Sequence, residues 1–111
     1  MMTINLDDKG LKSIVHKFDL FFIDIWGVVH NGIRLYEASV QTLDELKKIN
    51  KEYVLLTNAP RPNSIVIKFL KKMGLDDEKC KNVYTSGEAA LNYLHNNCKD
   101  LKFFHIGPPR D

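Results

Sequence analysis

In the stretch FDLFFIDIWGVVHNG, residues 18–32, the apolar run LFFI at residues 20–23 ends at a single carboxylate, Asp24. Residues 18–25 are rich in aromatic and β-branched side chains and apolar on both faces, which is typical of a buried strand of a parallel sheet. Gly27 and Gly32 follow, and glycine lets the backbone turn tightly. We therefore predict a central strand that ends near Asp24 and leads into a turning loop.

Strand and helix patterns alternate through the rest of the chain. The strand pattern returns at residues 53–58 and 101–107, and more weakly at residues 82–86. Helical patterns cover residues 36–50 and 65–73 and follow Thr85-Ser86-Gly87-Glu88, which has capping-box spacing; a short helix is predicted near residues 11–17. This alternation predicts an α/β fold, a Rossmann-like three-layer α/β/α sandwich with a mainly parallel sheet.

The composition excludes several classes of function. The 111 residues suit one domain, 44% are hydrophobic, and 16 basic against 14 acidic residues give a net charge of +2. This balance gives no reason to expect a nucleic acid or a membrane surface as partner. The N-terminus is unlike a secretory signal, and Cys80 and Cys98 lack metal-ligand or disulfide spacing. We expect a cytoplasmic protein.

Polar residues at the carboxyl ends of the strands are the candidates for function, since ligands bind there in open α/β sheets. Asp24 needs a cation or N–H donors to offset its burial, and Gly27 lies in a turn able to expose amides to an anion. Thr57 and Asn58 end the next strand and offer a hydroxyl and an amide to a phosphoryl oxygen. Arg61 either reaches a phosphate or occupies the surface at a helix start. An aspartate beside Mg²⁺ with such donors is a phosphoryl-transfer site.

These segments resemble a known family. DIWGVVHNG followed by VLLTNAPRP is similar to the first two motifs of the haloacid dehalogenase superfamily. VYTSGEAALNYL and FFHIGPPRD resemble the class IIA branch of NagD-like and phosphoglycolate- or nitrophenyl-phosphatase-like enzymes. The resemblance covers residues 18–111.

The resemblance implies a role for several positions. Asp24 would be the nucleophile that forms an aspartyl-phosphate and also binds Mg²⁺. Thr57 would hold the transferring phosphoryl group, with Asn58 beside it as a donor. Trp26 stands where most such phosphatases have a second aspartate, the general acid/base, whose backbone carbonyl also binds the metal. The carbonyl of Trp26 would keep this second role, but its indole has no ionisable proton.

Two histidines are further candidates for functional groups. His30 is a substitute proton donor or, alternatively, a loop histidine that is solvated or bonded to backbone. His105 lies in the predicted strand 101–107 and is expected to be a core or edge residue.

The chain departs from the family pattern in length as well. It contains neither the lysine of the third motif nor the acidic cluster of the fourth motif, and it leaves no room for a cap domain. We therefore expect residues 1–111 to be the N-terminal part of a longer core. The expected function is a Mg²⁺-dependent phosphatase of a small phosphorylated metabolite, such as a sugar phosphate, that is weak or inactive as this piece.

Three other expectations accompany this function. The alternative function is a non-catalytic module that binds a phosphorylated ligand or a protein. A dinucleotide-binding domain is disfavoured because no G-x-G-x-x-G occurs. An uncovered sheet edge would favour a homo-oligomer.

Overall fold

The computed structural model describes residue 3 and residues 5–109 of the chain. Its helices are α1 (Leu6–Lys9), α2 (Glu37–Lys48), α3 (Asn63–Lys72) and α4 (Ser86–Asn97). Its strands are β1 (Leu20–Asp24), β2 (Glu52–Thr57) and β3 (Val83–Thr85). Short 3-10 turns cover Leu11–Ser13, Val15–Lys17 and Lys79–Asn82. None of the described helices has the length and apolar character that a bilayer crossing requires.

The three strands form one parallel sheet in the order β1-β2-β3. In its register Asp24 lies opposite Leu56, and Thr57 lies opposite Thr85. Helices α2 and α3 make the two crossovers between successive strands, as a parallel sheet requires. The predicted Rossmann-like α/β fold with a parallel sheet is thus confirmed.

The buried core lies against one face of this sheet. Leu55 of β2 is fully buried there, together with Leu43 and Leu46 of α2 and Leu70 of α3. The predicted apolar stripes of the two helices supply these side chains. Burying one leucine side chain contributes about 1.5–3 kcal/mol, so this face fixes the positions of the strand ends.

The opposite face of the sheet is uncovered. Leu20, Phe22, Leu56 and Tyr84 are exposed along it, with Phe22 at 67%. Within the described part of the chain, β1 pairs with β2 alone and forms an edge of the sheet. The prediction of a central first strand that is buried on both faces is therefore wrong for the described residues. An apolar face and an open strand edge occur side by side.

Two predicted elements differ in the structure. Residues 101–107 form no strand, and Phe104 is 90% exposed. The prediction is wrong because an apolar run becomes a strand only where a neighbouring strand supplies backbone partners. His105 is consequently exposed rather than a core or edge histidine.

The predicted helix at residues 11–17 is a pair of 3-10 turns. The last two residues of the FFHIGPPRD segment lie outside the described residues.

Candidate active site

A groove at the carboxyl edge of the sheet brings together three of the predicted site residues, Asp24, Thr57 and Asn58. Thr85 and Ser86 from the start of α4 complete its polar lining. Its apolar lining consists of Phe22, Leu56, Tyr84 and Ala89. The groove thus places one carboxylate among hydroxyl and amide groups.

Asp24 is the last residue of β1, and it is exposed at the groove. The N–H of Ile25 donates to its Oδ1 at 2.8 Å, which orients the carboxylate. The register aligns Asp24 with Leu56, one residue before Thr57. Neighbouring strands lie about 4.8 Å apart, and both polar residues line the groove at the strand ends.

Thr57 turns the chain as β2 ends. Its Oγ1 accepts from the N–H of Ala59 at 3.2 Å, and its carbonyl accepts from Ser86 Oγ at 3.4 Å. A threonine hydroxyl carries one donor besides its acceptor sites, so its proton is available to a ligand oxygen. The turn presents Thr57 and Asn58 together to the groove.

The N-termini of α3 and α4 cap each other. The N–H of Thr85 donates to Asn63 Oδ1 at 2.9 Å, and the N–H of Asn63 donates to Glu88 Oε2 at 2.9 Å. Thr85 Oγ1 accepts from the N–H of Glu88, as the capping-box spacing predicts. The glutamate therefore caps the neighbouring helix instead of its own. These two bonds join residues that are separated by 22 and 25 positions in the sequence, and no local pattern indicates them.

Gly87 packs directly on the loop that follows β2. Its N–H donates to Ala59 O at 3.0 Å. A Cβ placed on Gly87 would lie 2.5 Å from the backbone N of Arg61 and from the carbonyl carbon of Pro60. Only glycine allows this approach. The loop that follows β2 and carries Asn58 is thereby held against α4, and no sequence pattern indicated this contact.

Gly27 uses its amide within the loop after β1. Its φ is +77°, and its N–H donates to the His30 carbonyl at 2.8 Å. The His30 N–H donates in turn to Ile25 O at 3.3 Å. Gly27 does not line the groove. This residue, predicted to bind a ligand, stabilises the loop conformation instead.

His30 is buried, with 3% of its surface exposed. Its Nδ1 accepts from the N–H of Gly32 at 2.9 Å, and its ring meets Trp26 and Phe69 edge-on at centroid distances of 5.3 and 5.4 Å. Burial lowers the pKa of the imidazole below its ordinary value. His30 is thus a neutral support of the loop, in agreement with the backbone-bonded alternative.

Trp26 is 64% exposed although its ring has fixed neighbours. The indole lies against Gly32 on one side and the edge of His30 on another.

Arg61 lies apart from the groove lining, on a surface that it shares with Ile65, Val66, Lys68, Phe69 and Lys72. Its carbonyl accepts from Thr85 Oγ1.

The oxygen donors near the groove have the chemistry that Mg²⁺ prefers. Among the described residues no group of three or more His, Cys, Asp or Glu could hold a metal ion. Mg²⁺, however, is usually bound through one or two carboxylates and keeps several waters. The Asp24 carboxylate and the Trp26 carbonyl are hard oxygen donors of this kind. Both atoms are of the donor type that such a water-rich Mg²⁺ site needs, although Trp26 itself is not among the residues that line the groove.

Comparison with known proteins shows the family of the chain. The sequence profile of haloacid dehalogenase-like hydrolases matches residues 21–111. The chain belongs to this family. Phosphoglycolate phosphatase 2 of Arabidopsis thaliana is 29% identical over 105 residues, which are 92% of this chain and 35% of that protein. The predicted superfamily is confirmed.

Solved structures of family members have the same fold. A haloacid dehalogenase-like hydrolase from Brucella suis 1330 aligns with a TM-score of 0.77 and 29% identity, over 90% of this chain and 36% of that one. A 4-nitrophenylphosphatase from Thermotoga maritima aligns with a TM-score of 0.66 and 28% identity, over 77% and 33%. The chain thus spans about a third of the length of these relatives. The predicted likeness to phosphoglycolate- and nitrophenyl-phosphatase-like enzymes is confirmed.

Proposed function

We propose that this chain supplies the nucleophile and phosphate-binding part of a Mg²⁺-dependent phosphatase of small phosphorylated metabolites. The observation that carries the proposal is the single groove lined by Asp24, Thr57 and Asn58. The Arabidopsis and Thermotoga relatives are both named as phosphatases, which supports the same reaction class. Sugar phosphates and similar small esters are the proposed substrates.

The chemistry of the groove follows from its side chains. A carboxylate oxygen of Asp24 attacks phosphorus in line, the bond to the leaving oxygen breaks, and that oxygen departs with the electron pair and takes a proton from water. The Thr57 hydroxyl and the Asn58 amide donate to phosphoryl oxygens and stabilise their charge. Asp24 and the Trp26 carbonyl would hold Mg²⁺, which would neutralise phosphate charge. Water then attacks phosphorus of the aspartyl-phosphate, which frees Asp24 as carboxylate and yields dihydrogen phosphate.

The experiment is a phosphate-release assay on the full-length gene product with and without Mg²⁺. We expect Mg²⁺-dependent release that Asp24→Asn abolishes and that Thr57→Val lowers about 100-fold, since one donor to a developing charge is lost. Thr57→Ser keeps the hydroxyl and should retain most activity. Acid quenching followed by mass spectrometry should find a phosphoryl adduct on the peptide that contains Asp24.

A second candidate is a module that binds a phosphorylated ligand without turnover. The replacement of an ionisable side chain by Trp26 favours it, because positioned acid/base groups contribute about 10²–10⁴-fold to rate. Mg²⁺-dependent binding of inorganic phosphate with no release from any ester would select this candidate. Release that survives Asp24→Asn would contradict the nucleophile.

A further inference from the structure

We propose that the buried hydroxyl of Thr85 is a positioning group for the groove: it holds the loop after β2, residues 58–62, so that the amide of Asn58 faces a phosphoryl group beside Asp24. This role rests on the proposed function of the groove and adds a positioning residue to it. Thr85 ends β3 and belongs to the groove lining.

The hydroxyl of Thr85 is fully used within the protein. Its Oγ1 donates to the carbonyl of Arg61 and accepts from the N–H of Glu88 at 2.9 Å. A threonine hydroxyl has one proton, and this side chain is fully buried. Thr85 therefore donates to the loop and not to a phosphoryl oxygen. Its effect on a ligand passes through the loop.

The start of α4 holds the chain after Asn58 at alternate positions. The three residues that it bonds to are Ala59, Arg61 and Asn63. Thr57, directly before Asn58, is fixed in turn by its pairing with Thr85 in the sheet. Asn58 thus stands between a paired strand and an anchored loop, and the hydroxyl of Thr85 supplies the central anchor.

The loop has little freedom of its own to absorb a change at Arg61. Pro60 and Pro62 flank this residue, and proline fixes its own φ at about −65°. Loss of the anchor at Arg61 should therefore shift the loop as a unit, Asn58 included. A displacement of about 1 Å at a reacting site costs about 100-fold in rate.

The same hydroxyl also caps α4, so a positioning effect has to be separated from an effect on stability. Thr85→Val keeps the shape of the side chain and removes both of its hydrogen bonds. Thr85→Ser keeps the hydroxyl and is the rescue variant. Leu43→Val is the control, because it removes one methylene group from the core on α2, a helix that contributes nothing to the groove lining.

The experiment measures kcat and KM of the full-length gene product for 4-nitrophenyl phosphate with Mg²⁺, at a temperature where melting curves show each variant folded. We expect Thr85→Val to lower kcat at least about 10-fold, because the donor on Asn58 is misplaced. KM should change less than kcat, since this donor acts on charge that develops in the transition state. Thr85→Ser and Leu43→Val should both stay within about 3-fold of wild type.

A double-mutant cycle identifies the group through which Thr85 acts. In an Asn58→Ala background the donor is already gone, so Thr85→Val should lower kcat by less than about 3-fold there. A loss in that background equal to the loss in wild type would overturn the inference.

The remaining outcomes separate this inference from the proposed function. A Thr85→Val variant with the kcat of Leu43→Val overturns the positioning role and leaves the phosphatase proposal standing. A folded wild type that releases no phosphate from 4-nitrophenyl phosphate or glycerol phosphate overturns the proposed function itself.

Thr85→Cys replaces Thr85→Val if the valine variant fails to fold. A thiol is similar in size to the hydroxyl group but is only a weak donor. The kcat of Thr85→Cys should therefore lie below that of Thr85→Ser, and equal kcat values would overturn the inference.

Discussion

Gly32 lies directly under the indole of Trp26. A Cβ added to Gly32 would come within 2.5 Å of Cη2 and 2.9 Å of Cζ3 of that ring. The glycine also has a φ of +89°, which side-chain-bearing residues rarely adopt. Residue 32 thus determines where the one tryptophan of the chain stands relative to Asp24.

Gly32→Ala should displace the indole and destabilise the fold. The left-handed backbone conformation costs about 1–3 kcal/mol for a non-glycine residue, and the methyl group clashes with the ring. The measurements are tryptophan fluorescence, which reports Trp26 alone, and denaturant unfolding. Gly74→Ala is the matched control, because Gly74 has a φ of +99° and nothing within 4 Å of an added methyl group. Equal fluorescence shifts in both variants would contradict the contact.

His30 should make the protein less stable in mild acid. Its pKa is lowered in the folded state by burial, whereas the unfolded chain titrates near 6.5. The unfolded state therefore binds the proton more readily as pH falls below about 6.5, and stability is lost from there downward. Above that pH His30 is neutral in both states, and its protonation no longer lowers the free energy of unfolding.

The measurement for His30 is the melting temperature at about pH 7.5 and 5.5. The substitution His30→Asn keeps an acceptor for the Gly32 N–H and removes the titrating group. This variant should therefore lose less stability between these pH values than wild type. Equal losses would show that His30 has no part in the pH dependence.

Glu88→Ala should destabilise the protein by about 1 kcal/mol, because the first N–H of α3 loses its acceptor. Urea unfolding measures the change in free energy. Glu88→Gln retains an acceptor oxygen and should cost less. A Glu88→Ala effect that persists unchanged in an Asn63→Pro background, which removes the donor N–H, would argue against this cap.

The uncovered sheet face should drive self-association of the isolated chain into a dimer. Phe22 lies on this face beside the open edge of β1, and exposed apolar faces next to unpaired strand edges favour pairing with another copy. Sedimentation at increasing concentration should detect the dimer, and Phe22→Lys should weaken it about 10-fold or more. Ile33→Lys is the control, since Ile33 is 86% exposed on a loop away from the face. Equal effects of the two changes would contradict the proposed face.

Local sequence signals predicted the elements that build the groove. The apolar run before Asp24 and the repeat before Thr57 correspond to strands that end at these residues. Their carboxyl ends meet because parallel strands present the same end at one edge. The Thr85-to-Glu88 spacing likewise predicted the start of α4. Each of these signals acts within a few residues of its effect.

Features that depend on distant partners were beyond the sequence patterns. Residues 101–107 have strand-like composition, yet they find no strand to pair with. Glu88 has the residue type for a capping box but bonds to Asn63, because α3 begins beside α4. The amide of Gly27 is used by His30 through a loop conformation that no spacing encodes.

The close packing of Gly87 on the backbone of Pro60 and Arg61 couples the local unfolding of two segments, the loop after β2 and helix α4. Amide hydrogen exchange in a protein proceeds through cooperative units, each with its own opening free energy. The loop that carries Asn58 cannot lift away while α4 stays folded, so its protected amides should exchange together with the first turn of that helix. Chain insertions between β3 and α4 would then also disturb the loop that carries Asn58.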